Sequence, residues 1–444
     1  MPTIAHLAQT LQTLLTTTAD AAARKTGFVQ RTSKLSGAVF VQALVFGWLS
    51  NPHASLADLA QVAAAVGVAI SPQGLDQRFT AAAAAFLEDL LAASVQAVIA
   101  AEPVAIPLLE RFTAVVLLDS STVVLPAAVA PWWPGCGGTP GTTAAHTAAA
   151  LKLHVRYDLC HGTLTGPLLT DGRTHESTTP LQTAPLPAGA LRLADLGFFD
   201  LDVLAQIAAQ SAYWLSRLHR TTAVLDAQGR GWDVLALLQA QRTDTVDVPI
   251  ALGARHHLAA RLLAVRVPPQ VASQRRRRVR AHARTHGRTP TATTLAWCDW
   301  TILVTNVPPA LLTVREALVL ARARWQVELL FKLWKSHGHI DESRSAQPWR
   351  VLCEVFAKLL AMVVQHWLLL VSCWAVPDRS LVKAAQTVRQ HALHLACALA
   401  CPLLLERAIG VLHRCVAAGC RLNRRRTKPN TSQLLLDPSL QSLT

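Results

Sequence analysis

Residues 321–335 read Ala-Arg-Ala-Arg-Trp-Gln-Val-Glu-Leu-Leu-Phe-Lys-Leu-Trp-Lys, and they constrain this chain more than any other stretch. The run predicts a helix on which Arg324, Glu328 and Lys335 stand at i, i+4 and i+11. At about 100° per residue the three fall within roughly 40° of arc. Trp325, Leu329, Leu330, Leu333 and Trp334 take the other side. One carboxylate between two cations, on an otherwise apolar helix, suits an anionic partner and leaves the carboxylate able to take a metal. An Arg–Glu pair at this spacing also supports any exposed helix. The helix alone leaves both readings open.

The chain has 444 residues, enough for a sizeable core and two or three domains. It is 51% hydrophobic, which argues against global disorder. The net charge of +15 comes from clustered basic residues and favours a polyanionic partner, most simply nucleic acid. Met1 to Thr17 alternates apolar and polar residues in a helical pattern, unlike a secretory signal. The nine cysteines are scattered without a paired CxxC and read as reduced core residues of a cytosolic protein. His391, His394, Cys397 and Cys401 line up near one helix, but one helix cannot easily wrap a tetrahedral ion. Buried helix positions are expected there instead. Leu359 to Val376 is apolar enough for a membrane span, yet Gln365 and His366 fall in its middle and Glu354 and Lys358 shortly before it. A buried core helix, with no membrane partner, is the expectation.

Residues 1–107 look all-helical. Ser55 is placed to cap a helix to about Ala65, Gly67 marks a turn, and Ser71-Pro72 opens a second helix carrying Gln73, Gln77 and Arg78. A helix-turn-helix for a major groove and a plain helical hairpin both fit. From Arg111 the texture changes to α/β. Expected strands are Phe112–Leu118 with a short continuation at Val123–Leu125, then Leu151–Tyr157, Thr163–Thr170, Leu191–Ala194, Tyr213–Leu218 and Trp300–Val307. Pro131 to Gly141 reads as a loop, and a helix is expected from about Asp200 to Gln210. Residues 219–311 are irregular, with short strands and a helix near Trp232–Gln241. The run Arg275, Arg276, Arg277 and Arg278 reads as a solvated face, a flexible arm or a phosphate contact. Arg421 to Asn430 reads as a basic, frayed end.

The chemistry lies in three carboxylates. Asp119 and Asp195 each follow a predicted buried strand, and Glu328 lies on the helix described above. Such a set would repel strongly unless a divalent cation neutralised it. Oxygen-only ligands suit Mg2+ or Mn2+. Two such ions clamp the attacking and leaving oxygens of an in-line phosphoryl displacement. Arg324 and Lys335 would hold flanking phosphates.

In order and spacing these residues resemble the DDE transposases of bacterial insertion sequences. Arg324, Glu328 and Lys335 match the Tyr-x2-Arg-x3-Glu-x6-Lys signature of the insertion-sequence-four group, with Ala321 at the tyrosine position. Asp119-Ser-Ser-Thr resembles the group's first aspartate block and Asp195-Leu-Gly-Phe-Phe its second. Thr305-Asn306-Val307-Pro308, Arg78-Phe79-Thr80 and Lys152-Leu153-His154 also look familial, so the likeness runs from about residue 20 to 390. Trp325 matches a familiar position beside the signature arginine, although its helical angle favours packing.

The resemblance implies an α/β, RNase H-like catalytic core with a β-rich insertion, flanked by helical terminal regions. Expected boundaries are a helical DNA-binding region at 1–107, core at 108–218, insertion at 219–311, the glutamate helix at 312–345 and a helical region with basic tail at 346–444. It also implies two Mg2+ or Mn2+ ions on Asp119, Asp195 and Glu328, and double-stranded DNA as transposon ends and target. A homodimer in the paired-end complex and a cytoplasmic, nucleoid-associated location complete the expectation. A DNA-binding relic or repressor of the same ancestry, or an RNase H-like nuclease, are the alternatives. The survival of all three carboxylates favours the transposase.

Overall fold

The computed structural model describes residues 4–31, 34–136, 147–343 and 345–442. The expected loop at 131–141 therefore lies partly outside the described residues. The chain opens with helices α1 (Ile4–Thr13), α2 (Ala19–Lys25), α3 (Gly37–Ser50), α4 (Leu56–Ala65), α5 (Pro72–Asp76) and α6 (Ala81–Gln96). Strands β1 (Val115–Leu125), β2 (Ala149–Asp158), β3 (Leu164–Asp171) and β4 (Leu191–Ala194) follow, then α7 (Leu201–Ala209) and β5 (Tyr213–Arg217). Next come β6 (Val224–Leu225), β7 (Gly231–Trp232), α8 (Val234–Ala240), β8 (Thr245–Leu252) and β9 (Leu258–Arg266). The basic run lies in α9 (Pro269–Thr285), before α10 (Ala292–Ala296) and β10 (Trp300–Thr305). The chain closes with α11 (Val314–Ala323), α12 (Trp325–Lys332), a π-helical turn (Leu333–His337), α13 (Pro348–Cys373), α14 (Leu381–Ala398), α15 (Pro402–Gly419) and α16 (Thr431–Leu436).

Short polar side chains set many helix starts by accepting from backbone N–H groups that the first turn leaves without partners. Ser55 and Asp58 form a reciprocal capping box on α4, and Thr313 with Glu316 and Asn430 with Gln433 do the same on α11 and α16. Ser71 caps α5 with Pro72 in its first turn, and Asp200 caps α7.

The chain divides into two compact units. Unit 1 holds Met1–Ala105, Asp119–His175 and Gln326–Asn423; unit 2 holds Ile106–Leu118, Glu176–Trp325 and Arg424–Thr444. In unit 1, α13 packs against α3, α6, α14 and α15, and nearly all of its side chains are buried. It is one helix long and apolar enough to cross a membrane, and 94% of its apolar window is covered by protein. The strand order in this unit is β3-β2-β1, with β2 and β3 antiparallel.

In unit 2 the order is β1-β4-β5-β10-β9-β8-β6-β7. β1, β4 and β5 are parallel, and β10 begins the antiparallel part. The strands of residues 219–311 thus continue the sheet through β10. Its core includes Trp214, Leu262, Ile302 and Val304. Asn306 locks β5 beside β10: its Oδ1 accepts from Trp214 N at 2.8 Å and its amide donates to the Ala212 carbonyl at 3.0 Å. Thr305 Oγ1 donates to the Trp214 carbonyl at 2.5 Å.

Several expectations change. β1 is one continuous strand, so Asp119 lies inside it rather than at its end. The arginine run is helical, neither an irregular segment nor an arm. The second helix of the proposed helix-turn-helix is five residues long, too short to span a groove, and Arg78 sits exposed beyond it in the turn before α6. The segment 321–335 is not one regular helix. It breaks at Arg324 and ends in a π turn, so a uniform 100° per residue does not hold. Trp325 and Leu329, expected to pack, are instead 57% and 43% exposed, while Leu330, Leu333 and Trp334 are buried. The basic tail is not frayed: Arg421 pairs with Asp378, and α16 packs on α11. Cys136, Cys397 and Cys415 are exposed, contrary to an all-core reading; Cys397 and Cys415 lie on outward positions of the amphipathic helices α14 and α15. His394 is exposed as well, so His391, His394, Cys397 and Cys401 are not a set of buried positions.

Candidate active site

The last paired residues of the parallel β1–β4 ladder are Leu118 and Ala194. The residue that follows each is an aspartate, Asp119 and Asp195. Both are half-buried. Asp119 Oδ1 accepts from its neighbour's N–H, Ser120 N, at 2.8 Å.

In unit 2, Asp195 opens a tight turn through Leu196–Phe198. Gly197 lies in that turn against the Glu176 carboxylate: a Cβ there would stand 2.6 Å from Glu176 Oε2, the movable end of a side chain. Asp195 lines a small cleft with Ser216, Arg217, Ala321 and Arg324. Arg324 and Asp195 therefore share one wall in this unit, with the Ala321 methyl group beside them.

In unit 1, Glu328 stands half-buried in the first turn of α12, where Val327, Leu330 and Phe331 face the core. Lys335 lies in the π turn and donates to the Thr122 carbonyl of β1 at 2.5 Å. Burial pushes its ammonium pKa below the usual lysine value. The aspartate block of β1 and the signature lysine are thus joined directly within this unit. One of the three lysine donors is spent there.

A family model described as "Transposase DDE domain" matches residues 110–364, more than half of the chain. The chain belongs to the DDE transposase family. It is 26% identical over 363 residues to the "Transposase for insertion sequence element IS231F" of Bacillus thuringiensis subsp. israelensis, covering 77% of this chain and 74% of that one. It is 27% identical over 365 residues to the corresponding IS231B transposase of B. thuringiensis subsp. berliner, covering 77% and 75%. The "Putative transposase InsL for insertion sequence element IS186A" of Escherichia coli (strain K12) is 29% identical over 259 residues, 55% of this chain and 69% of that one. The α/β sheet with flanking helices accords with the RNase H-like core of the family.

The transposase is therefore a DNA-cleaving and strand-transferring enzyme, and enzymes of this family work with divalent metal ions. The candidate residues fit such ions by chemistry: Asp119, Asp195 and Glu328 offer only hard oxygen ligands, each partly shielded from water.

The four arginines of α9 divide into two pairs. Arg275 donates to the Trp300 carbonyl at 2.8 Å and to Thr301 Oγ1 at 3.0 Å, and burial lowers its pKa. Arg276 pairs with Asp299. Arg277 and Arg278 are exposed. A cleft of about 870 Å3 in unit 2 is lined by Arg217, Arg220, Arg275, Arg278, Trp297 and Trp300. Sequence reading missed Arg217, Arg220 and Trp297. Arg217 carried one usable signal, its position at the end of a strand neighbouring the Asp195 strand. The other two required the tertiary structure, which sets the Arg220 guanidinium 5.7 Å from the Trp297 ring centre.

The other familial blocks have structural duties. Phe79 is buried and Thr80 caps α6. Lys152 donates to the Thr174 carbonyl, and His154 Nε2 bonds Thr170 Oγ1 at 2.9 Å.

Proposed function

We propose that the transposase cuts the ends of an insertion sequence and joins them to target DNA, with Asp119, Asp195 and Glu328 as its metal-binding carboxylates. Two Mg2+ or Mn2+ ions held there would supply activation of the attacking oxygen and stabilisation of the leaving one. The observation that carries this reading is the β1–β4 register, which steps from Leu118 and Ala194 to the two aspartates. The Lys335–Thr122 bond supports it by tying the glutamate segment to the same strand.

Arg324 grips a DNA phosphate near the scissile bond with two donors, and Lys335 adds a point charge with its remaining ones. Their spacing from Glu328 supports membership of the insertion-sequence-four group, with Ala321 as its departure. Trp325, 57% exposed beside Arg324, is available to stack on a base. Arg277 and Arg278 contact DNA backbone without reading sequence. The helical region 1–107, with exposed Arg78, contributes end binding, and a homodimer holds the paired ends. The nucleoid is the corresponding place of action.

The deciding experiment uses duplex carrying the element's terminal inverted repeats. Asp119→Ala, Asp195→Ala and Glu328→Ala should each lower Mg2+-dependent cleavage by at least about a hundredfold, while end binding in a mobility shift stays near the parent value. Arg324→Ala should weaken cleavage at least as much as Lys335→Ala. Normal cleavage by Glu328→Ala would remove that residue from the site.

A further inference from the structure

Unit 1 carries a second cluster of metal-ligating groups, apart from the three carboxylates. His53, in the connection between α3 and α4, meets His339 and Glu342, which lie just after the π turn. One ligand atom from each lies within 4.8 Å of the other two. Both imidazoles aim Nδ1 at one carboxylate: His339 Nδ1 stands 2.8 Å from Glu342 Oε1, and His53 Nδ1 stands 3.8 Å from Oε2. The two ring centres are 4.3 Å apart.

The segment that carries two of the three ligands is held from below. Lys358 of α13 is 2% exposed, and its ammonium donates to the His339 carbonyl at 2.9 Å and the Glu342 carbonyl at 2.8 Å. Its charge is balanced by Glu354 at 2.8 Å, whose other oxygen accepts from Ser343 Oγ at 2.9 Å. Gly338 lies against α13 so closely that a Cβ would meet Met362 Sδ at 2.5 Å. His339 then takes φ +47°, a left-handed conformation that is unfavourable for a residue with a side chain. A buried ion pair and a strained turn together fix the two ligands, while their side chains remain reachable from solvent.

We propose that His53, His339 and Glu342 form a transition-metal site of the zinc class that ties the α3–α4 connection to the segment following the signature lysine. Two imidazoles and one carboxylate are a common three-ligand set for Zn2+, and the fourth position is open to water. The bland alternative is a pair of exposed His–Glu contacts. Such contacts contribute little to stability and give no reason for two histidines to share one carboxylate. The nitrogen donors also separate this site chemically from the oxygen-only carboxylates, which prefer Mg2+ or Mn2+.

The test uses the full chain in saturating Mg2+, which occupies the oxygen-only ligands. Zn2+ uptake is measured by equilibrium dialysis, and Co2+ is read by its visible absorption as a reporter of nitrogen ligation. The expected result is about one Zn2+ per chain retained against Mg2+ and a Zn2+-dependent rise in the unfolding midpoint. His53→Ala, His339→Asn and Glu342→Gln should each weaken uptake at least about tenfold and abolish that rise. Asparagine is chosen at 339 because it accepts the left-handed backbone, which keeps the fold intact. Parent protein that takes up no Zn2+ under these conditions, or variants that bind it like the parent, would overturn the site.

Discussion

Helices α13 and α9 are opposites in composition, and each invites a misreading. α13 is apolar enough to pass for a membrane span, and α9 is basic enough to pass for a solvated arm. The difference between them lies in what happens to their few exceptional residues. In α13 the buried ion pair and imidazole are matched: Lys358 with Glu354 and two carbonyls, His366 Nε2 with the Gly162 carbonyl at 2.7 Å. In α9 the charges split. Arg275 and Arg276 serve the fold, whereas Arg277 and Arg278 face outward. A charge in a helix therefore acquires a meaning only through its partner. Buried, it must be paired; exposed, it is available to a ligand.

The largest expected effect tests the buried half of this contrast. Lys358→Met leaves Glu354 buried without its cation and should destabilise the protein by about 3–5 kcal/mol, read from the unfolding midpoint. Adding Glu354→Leu should recover most of that loss. A single variant as stable as the parent would mean that the α13 charges are no more consequential than surface ones.

A second test uses pH. Burial pushes His366 down to about 4 from an ordinary 6.5, with its bond to the Gly162 carbonyl opposing the shift. Because the folded pKa lies below the unfolded one, the unfolded chain binds the extra proton first. The contribution is complete above about pH 6.5 and is lost as pH falls towards 4. It amounts to about 3 kcal/mol at most. His366→Phe should flatten the stability profile across that window. A parent and variant with parallel profiles there would detach the acid sensitivity from His366.

Smaller effects distinguish the two halves of the arginine run. Arg276→Ala breaks the half-buried pair with Asp299 and should cost about 1–2 kcal/mol, with little change in the salt dependence of DNA binding. Arg277→Gln with Arg278→Gln should change stability by less than about 0.5 kcal/mol. If each guanidinium neutralises one phosphate, that double variant should lower the log–log salt slope by roughly two units. Equal slopes in parent and double variant, or a slope change produced by Arg276→Ala instead, would reverse the division of labour in α9.

Much of the candidate site was legible because its chemistry is carried by residue type and local spacing. Asp195-Leu-Gly marks a tight turn, and the four-residue step from Arg324 to Glu328 spans the junction into α12. β4 and α7 could be read almost to the residue, because a short apolar run and an aspartate cap are local signals. Other features were not legible for equally physical reasons. No local rule distinguishes Arg275 from Arg277; the carbonyl of Trp300, supplied by another element, does. The apolar periodicity of residues 321–335 also gives no sign that Trp325 is 57% exposed.

The sequence by itself determined the family and an α/β chain with helical ends, and put forward three carboxylates with basic neighbours as the candidate site. Only the tertiary structure decided that Leu118 and Ala194 are partners on adjacent strands. It alone turned His53, His339 and Glu342 into one cluster. The reason is that residue types and short-range spacing are written along the chain. Strand register and the pairing of buried charges instead arise from contacts between segments far apart in sequence, where burial fixes one alignment over the others.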